Sequence, residues 1–440
     1  MGDSRDRARW TRRQWLAAGG AGLAGLPGGS EAADAGPGPG GRLTADFEPQ
    51  AAIWLGHDPG HHTFTADLAQ ALHPHVPLKV LVKDGDAEAD ARTLLDRHRI
   101  PPGRVRFVQH PQALYFVRDA AVFGLDARGQ LMAMDFRWTH YGWAEWCRRR
   151  HRAGTAQARR CANADAGGPD ALDRALADSA GAPVLHTPLG MEGGGIEVNG
   201  QGLLIANEAL WATRNPGRSR EMLTRELLRL PGIRKVIWLP AGLAQDPLHR
   251  ATITGRYVAW GTGGHTDEFV RFADPGTVLL AWPDAAEAAR HPVSRLNLLR
   301  MQRNHDILSR STDVQGRPLR VLKLPLPRVV ERQVFLSAGA DARLSREWTA
   351  ESFPAHERRR QGDWVTQVAS SSYLNYVVAN GVVLLPDYRA HGTPAALQGR
   401  VLQVLEAAFP GRELRLVDAI GANWVGGGAH CATLSEPAPG

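Results

Sequence analysis

The chain has 440 residues, of which 43% are hydrophobic, and it carries a formal net charge of +7. This length can bury a substantial core, and past the N-terminus no apolar run is long enough to cross a bilayer, which excludes a membrane-spanning protein. The charge does not indicate nucleic-acid binding, because the basic residues are scattered and the densest run, over 147–160, lacks interleaved aromatic side chains. The composition therefore predicts a globular protein with neither a membrane anchor nor a nucleic-acid partner.

The N-terminus resembles a twin-arginine export signal. Arg12 and Arg13 stand directly before a short, weakly apolar segment, and small residues follow it. We therefore expect an export signal over 1–35, a flexible Gly/Pro-rich leader over 36–42 and a single folded domain over 43–440. An ordinary basic tail is the alternative interpretation. An operating signal would make the mature protein periplasmic or secreted.

A unit of two strands, a helix and a third strand recurs along the chain. Each unit opens on a hairpin with a turn such as Asn-Gly or Asp-Pro-Gly, and an amphipathic helical pattern and another apolar strand follow it. In chain order the hairpins read AAVFGLDARGQLMAMDF, IEVNGQGLLIAN, FVRFADPGTVLLAW and YVVANGVVLLPDY.

A fifth copy of the unit precedes these four. It contains the strands AAIWLGHD, LKVLVKDG and RVRFVQHP, so the missing strand of its hairpin must come from elsewhere in the chain. Units of this kind can close into a ring, which protects their sheet edges and buries one face of each unit against its neighbours. The sequence thus predicts an α/β fold in which the junctions between units point to a shared axis.

Polar residues of several types stand at these junctions. His265 and Asp267 are two apart on a predicted strand, so both side chains should project from the same face. Opposed carboxylates repel one another unless a cation lies between them, and a planar guanidinium offers each of them a fork of donors. A cysteine aimed at the guanidinium carbon is a suitable nucleophile when it is a thiolate. The candidate residues are Asp119, Glu192, His265, Asp267, Asn375 and Cys431.

These junctions resemble the motifs of the agmatine deiminase and bacterial peptidylarginine deiminase family, which belongs to the guanidine-modifying enzymes. The likeness runs from about residue 47 to residue 437. It implies a five-bladed pseudo-symmetric α/β propeller of ββαβ repeats, the pentein fold, with a deiminase catalytic domain over 43–440 that needs no metal or organic cofactor. The matching motifs are Arg-Asp at 118–119, Glu-Gly-Gly at 192–194, Gly-His-Thr-Asp at 264–267, Tyr-Leu-Asn at 373–375 and Gly-Gly-Gly-Ala-His-Cys at 426–431.

The resemblance implies a role for each catalytic candidate. Cys431 would attack the guanidinium carbon while Asp119 and Asp267 hold the flanking nitrogens. His265 would protonate the departing ammonia and then deprotonate the attacking water. Glu192 would orient the histidine or help to bind the guanidinium.

Two further residues, Phe116 and Asn375, are expected to contact the substrate. Phe116 stands where the family often has Trp, and an extra segment lies between Leu243 and Gly263. Such departures surround the expected pocket mouth, so they bear on substrate identity more than on chemistry. Simpler interpretations also stay open: Asp119 could pair with its neighbour Arg118, Glu192 could cap a turn, and Asn375 could be structural.

The resemblance implies a hydrolase that acts on the C–N bonds of linear amidines. The expected reaction converts agmatine to N-carbamoylputrescine and ammonia, as in putrescine biosynthesis. The alternative converts protein arginine to citrulline, and a further alternative is a non-catalytic protein that binds guanidinium or polyamine ligands. The partner is then a small guanidine or an arginine-containing peptide.

Two local patterns remain. The stretch GHDPGHHTF contains His57, Asp58, His61 and His62, but its spacing matches no specific zinc pattern, so we expect a polar loop near the mouth of the site. The sequence does not decide whether Cys147 and Cys161 form a disulfide.

Overall fold

The computed structural model describes residues 40–151, 161, 172–337 and 348–440. The predicted export signal and most of the predicted leader lie outside these residues. Residues 41 and 42, which the sequence placed in the flexible leader, belong instead to β1 (Gly41–Leu43), because this strand pairs antiparallel with Val122–Asp126.

The N-terminal unit takes its missing strand from the far end of the chain. The strands β2 (Gln50–Gly56), β3 (Leu78–Val82) and β4 (Val105–Gln109) run parallel to one another. β21 (Thr433–Pro437) pairs antiparallel with β2 and completes the sheet. The prediction that this hairpin strand comes from elsewhere is therefore confirmed.

The four following units have the predicted order of two antiparallel strands and a third parallel strand. A mixed α/β fold is thus observed. The strands are β5 (Val122–Asp126), β6 (Leu131–Arg137) and β7 (Val184–Gly190); β8 (Glu197–Val198), β9 (Leu203–Asn207) and β10 (Lys235–Leu239); β13 (Val270–Asp274), β14 (Thr277–Trp282) and β15 (Arg320–Pro325); and β18 (Val377–Ala379), β19 (Val382–Pro386) and β20 (Glu413–Val417).

A further sheet is built from insertions between the units. The extra segment before Gly263 forms the hairpin of β11 (Leu248–Thr254) and β12 (Tyr257–Thr262). β12 pairs with β17 (Trp364–Val368), which in turn pairs with β16 (Glu331–Phe335). The extra segment is therefore an ordered part of the fold.

Helices cover the sheets and lead into their third strands. Short polar side chains start several of them: Asn207, Ser219 and Asp284 each accept a hydrogen bond from a backbone N–H in the first turn. No helix in the described part of the chain is both long and apolar enough to cross a bilayer. The helices are His62–Leu72, Gly85–Arg97, Trp143–Arg150, Leu172–Ala180, Glu208–Arg214, Arg220–Leu227, Ala285–Arg290, Pro292–Leu308, Ala395–Ala408 and Ile420–Asn423.

Candidate active site

Short 3-10 turns lie just before the first strand of three units, and each carries or directly follows a predicted site acid. Val117–Ala120 carries Asp119, and Gly193–Gly195 directly follows Glu192. Thr266–Glu268 carries Asp267. Each acid thus lies in backbone that is fixed by the strand after it.

The prediction that His265 and Asp267 lie on a strand is wrong. β12 ends at Thr262, and Gly263 and Gly264 then both adopt a φ of 101°, which breaks the extended backbone. The Asp246 carboxylate accepts hydrogen bonds from the backbone N–H groups of Gly264 and His265 at 3.0 and 2.8 Å, so these groups take no part in a sheet.

The thiol of Cys431 is buried between an amide and a carboxylate. The side-chain Nδ2 of Asn375 lies 3.2 Å from Cys431 Sγ, and Sγ lies 3.6 Å from Asp267 Oδ2. Asn375 Oδ1 also accepts the backbone N–H of His430 at 2.8 Å. Asn375 therefore both holds the loop that carries the thiol and contacts its sulfur.

The imidazole of His265 lies between two carboxylates. Its Nε2 atom is 3.3 Å from Glu192 Oε2, and its Nδ1 atom is 3.8 Å from Asp119 Oδ1. Glu192 makes no capping hydrogen bond. Instead it accepts two from Arg214 Nε, at 2.8 and 3.0 Å. The structure thus supports Glu192 as a neighbour of the histidine over the capping alternative.

Asp119 does not pair with its sequence neighbour. Arg118 reaches Asp46, with Nη1 and Oδ1 3.2 Å apart. Asp119 accepts hydrogen bonds from the backbone of Gly194 at 3.0 Å and from the hydroxyl of Tyr141 at 2.9 Å. Both of its oxygens therefore point into the cluster of site residues.

Two glycines are needed for the side chains to approach. A Cβ atom on Gly194 would lie 2.4 Å from His265 Nδ1 and 3.1 Å from Asp267 Oδ2. A Cβ atom on Gly428 would lie 2.5 Å from Asn375 Oδ1. Since real Cβ atoms essentially never come within 3.0 Å of a neighbour, a larger residue at Gly194 or Gly428 would push away the His265 or Asn375 side chain.

Two buried polar atoms of the site have no hydrogen-bond partner among the described residues. They are His265 Nδ1 and Asp267 Oδ1. Native proteins pair nearly all such atoms, so each exception calls for an explanation. A polar ligand bound between the imidazole and the carboxylate would satisfy both.

The surrounding acids hold the thiol protonated. Burial, and then the negative charges of Asp267, Glu268 and Asp119, raise the pKa of Cys431 well above its usual value. The hydrogen bond from Asn375 acts in the opposite direction. A cation among these acids would therefore favour the thiolate.

The imidazole is held as a cation. Burial alone would lower the pKa of His265, but the charge of Asp119 and the hydrogen bond with Glu192 raise it to about 9. Burial raises the pKa of Asp119 to about 6, against the opposing charge of His265. Burial would also raise the pKa of Glu192, but the charge of Arg214 brings it to about 2. At neutral pH the cluster therefore contains a protonated imidazole beside the ionised carboxylates of Asp119 and Glu192.

Several site residues were missed by sequence reasoning. Glu268 directly follows Asp267 and accepts a hydrogen bond from Asn375 at 2.9 Å, so its position in the motif was an available signal. His430 contacts Asp267 Oδ2 through Nδ1 at 2.7 Å and also precedes a residue already singled out. Tyr141 and Arg214 carried no local signal, because their contacts join different units.

A cavity of about 480 Å³ lies beside this cluster. Tyr141, which bonds Asp119, lines it together with Phe116, and the extra segment contributes His249 and Trp260. His140, Tyr141 and His249 all have φ near +50°, a strained conformation that tends to occur at functional sites. The extra segment therefore forms one wall of the expected pocket mouth.

A disulfide lies in the helical segment that packs against this wall. Cys147, in the middle of the helix that carries Trp143 and Trp146, is bonded to Cys161. Trp143 and Trp146 both pack against His249. Cys431 is a free thiol.

Among the described residues, two groups of side chains could hold a metal ion. One consists of Asp267, Glu268 and Cys431, and the other of His57, His62 and Asp90; within each group the possible ligand atoms lie within 4.8 Å of one another. The first group coincides with the thiol site, and the second lies outside it.

A buried thiol, an imidazolium and paired acids at the unit junctions define a site for chemistry on a cationic group. The model of the family described as "Porphyromonas-type peptidyl-arginine deiminase" matches residues 42–437. The chain belongs to this family of enzymes.

Named relatives cover nearly the whole chain. An agmatine deiminase of Ectopseudomonas mendocina is 28% identical over 420 residues, which are 90% of this chain and 95% of the relative. An agmatine deiminase of Pseudomonas aeruginosa is 27% identical over 419 residues, covering 90% and 96% of the two chains. The solved structure of an agmatine deiminase of Enterococcus faecalis superposes with a TM-score of 0.66 at 22% identity, covering 91% of this chain and 97% of that one. This likeness of fold supports the mixed α/β architecture.

Proposed function

We propose that the protein is a guanidine deiminase with Cys431 as its nucleophile and agmatine as its substrate. The observation that carries the proposal is the position of the buried Cys431 Sγ beside Asp267 and Asn375, in a cluster where His265 Nδ1 and Asp267 Oδ1 lack partners. Asp119 and Asp267 would take the nitrogens of a guanidinium, which matches their donor-accepting oxygens.

The substrate itself would activate the thiol. Without a bound substrate, burial and the neighbouring carboxylates keep the pKa of Cys431 raised, so the sulfur is a thiol. A guanidinium between Asp119 and Asp267 offsets their negative charge, and the hydrogen bond from Asn375 then favours the thiolate. The thiolate would thus form only when a guanidinium is bound.

The reaction would proceed in two halves. Cys431 releases its proton to solvent as the guanidinium binds, and the thiolate adds to the guanidinium carbon. His265 then gives its proton to the departing ammonia, which leaves a thiouronium on the sulfur. The neutral His265 then takes a proton from water, the hydroxide adds to the same carbon, and the sulfur departs to give a ureido product. His265 is suited to the first half because its raised pKa, about 9, keeps it protonated at neutral pH.

Agmatine is the first candidate substrate because relatives that align with 90% of the chain are named agmatine deiminases.

We further propose that the five units close into a five-bladed propeller around the site. The pairing of β21 with β2 supports closure, since it joins the last part of the chain to the first unit. Export through the N-terminal Arg-Arg motif is also part of the proposal, and it is tested by fractionating cells that express variants with and without Arg12→Lys and Arg13→Lys.

Peptidyl arginine is the second candidate, and the cavity of about 480 Å³ favours it. Agmatine ends in an ammonium group, yet no carboxylate is among the described residues that line this cavity. Its lining includes Trp138, Trp143 and Trp260, which suit the apolar body of a larger substrate.

The deciding experiment incubates the protein with agmatine, with free arginine and with an arginine-containing peptide, and measures both ammonia and ureido product. Cys431→Ala is the matched variant. Turnover of agmatine that the substitution abolishes supports the proposal, and turnover confined to the peptide favours the second candidate. Guanidine binding without any turnover would identify a binding protein, and turnover that survives Cys431→Ala would contradict the mechanism.

A further inference from the structure

Two histidines and an aspartate from separate segments converge beside the end of β2. His57 follows β2, His62 begins the helix His62–Leu72, and Asp90 lies in the helix Gly85–Arg97. The Nε2 atoms of His57 and His62 lie 2.8 and 2.6 Å from the same oxygen, Asp90 Oδ2. Three potential ligand atoms therefore surround one point.

The histidine rings are already oriented for this convergence. The His57 side chain has no solvent exposure and stacks on His62, with ring centroids 5.4 Å apart and planes at 16°. The Nδ1 atom of His57 has no hydrogen-bond partner among the described residues. Without an ion, Asp90 Oδ2 accepts a hydrogen bond from His57 Nε2. When an ion displaces that proton, the ring can carry its proton on Nδ1, where no described neighbour competes, and the Nε2 lone pair can bind the ion.

We propose that His57, His62 and Asp90 bind a divalent transition-metal cation such as Zn²⁺. Two imidazoles and one carboxylate are a ligand set that such ions accept, with water in the remaining positions. The side chains of His62 and Asp90 are 37% and 39% exposed, which gives water access to the site.

Only a small movement would admit the ion. Metal–ligand bonds of about 2.0–2.1 Å in tetrahedral geometry place neighbouring ligand atoms about 3.3 Å apart. The two nitrogen–oxygen distances, 2.6 and 2.8 Å, must therefore widen by about 0.7 and about 0.5 Å. Asp90 can supply this movement, because its side chain is part-exposed on a helix surface.

The other two polar residues of this loop, Asp58 and His61, make contacts elsewhere and are not among the proposed ligands. Asp58 accepts the backbone N–H of Gly60 at 2.6 Å, and the ring of His61 stacks on Tyr115 with centroids 4.3 Å apart. The sequence pattern gave a polar loop because the third ligand, Asp90, lies 28 residues beyond His62. A bound ion would link the helix that contains Asp90 to the end of β2. We therefore expect ion binding to stabilise the fold.

The test titrates Zn²⁺ into the chelator-treated full chain by calorimetry, with Cys431→Ala as the background so that the thiol cluster does not compete. One Zn²⁺ per chain is expected, with at least a tenfold loss of affinity in His62→Ala and in Asp90→Asn. Both substitutions are at part-exposed positions, and His98→Ala is the matched control that keeps full affinity. Co²⁺ should give the visible absorption of nitrogen and oxygen ligands in the control and lose it in both variants.

The ion should also raise the thermal unfolding temperature of the His98→Ala control and leave that of His62→Ala unchanged. The absence of Zn²⁺ binding, or an affinity that neither substitution changes, would overturn the proposal. Neither result depends on turnover, so the outcome is independent of the proposed deiminase activity.

Discussion

Asn375 donates its side-chain N–H to the sulfur of Cys431 across 3.2 Å. A hydrogen bond to a charged acceptor contributes about 1.5–3 kcal/mol, so we expect Asn375→Ala to lower kcat/KM roughly 10- to 100-fold. The same substitution should raise the pKa of the thiol further, because the group that favours the thiolate is gone. Steady-state kinetics and the pH dependence of alkylation by iodoacetamide measure the two effects. Unchanged alkylation in Asn375→Ala would show that the amide does not act on the sulfur.

The pH profile of kcat/KM should be bell-shaped. Asp119 must be ionised to hold a guanidinium, so activity should fall as the pH drops through about 6. His265 must be protonated to release ammonia, so activity should also fall as the pH rises through about 9. His356→Gln, at an exposed position, is the control and should leave both limbs in place. A profile flat between pH 5 and pH 10 would refute these roles.

The same histidine links stability to pH. Its folded pKa, about 9, is raised above the ordinary value of 6.5. Its contribution to stability is therefore fully present below about pH 6.5 and is lost as the pH rises through about 9. Denaturant unfolding at pH 6 and at pH 10 measures the change, and His265→Gln should show less of it than the parent protein.

Gly194→Ala should impair catalysis without unfolding the protein. The added Cβ would meet His265 Nδ1 at 2.4 Å, and the imidazole must move away from it. A displacement of about 1 Å in an active site can cost roughly 100-fold in rate. Gly421→Ala, where a Cβ would meet nothing within 4 Å, is the matched control and should retain activity. Circular dichroism on both variants separates a moved side chain from a lost fold, and a fully active Gly194→Ala would be the contrary result.

Arg214→Met should destabilise the whole protein. Arg214 and Glu192 are both fully buried, and removing the cation leaves an unpaired carboxylate in the interior, which typically costs about 3–5 kcal/mol. Urea unfolding measures the loss. Arg218→Met, at a part-exposed position nearby, should change little. Adding Glu192→Gln to Arg214→Met should restore part of the lost stability, and a double variant no more stable than the single one would contradict this explanation.

The regular parts of the fold were predictable because they depend on local patterns. Hairpin turns and alternating apolar residues marked four of the units, and the incomplete fifth one pointed to a distant strand, which is β21. The additional sheet was not predicted, because its pairing joins β12 to β17 across about a hundred residues and neither insertion shows a repeat. Short-range sequence patterns carry no information about such pairing.

The proximity of the candidate residues was predictable where polar residues stood at unit junctions. Cys431, Asp267 and Asn375 are in contact, and His265 lies beside Glu192 and near Asp119. The geometry of the Asp267 turn was missed because alternation over a few residues does not distinguish a strand from a 3-10 turn.

β21 has a consequence for when this protein can act. The thiol of Cys431 is fixed just ahead of β21, and β21 pairs with β2, so Trp54 bonds Glu436 across 382 residues. β21 must therefore be synthesised before the first sheet can close and fix the loop that carries Cys431. Proteolytic loss of β21 would remove a strand from the first unit and the support of Cys431 together, so an intact β21 is a condition of the proposed activity.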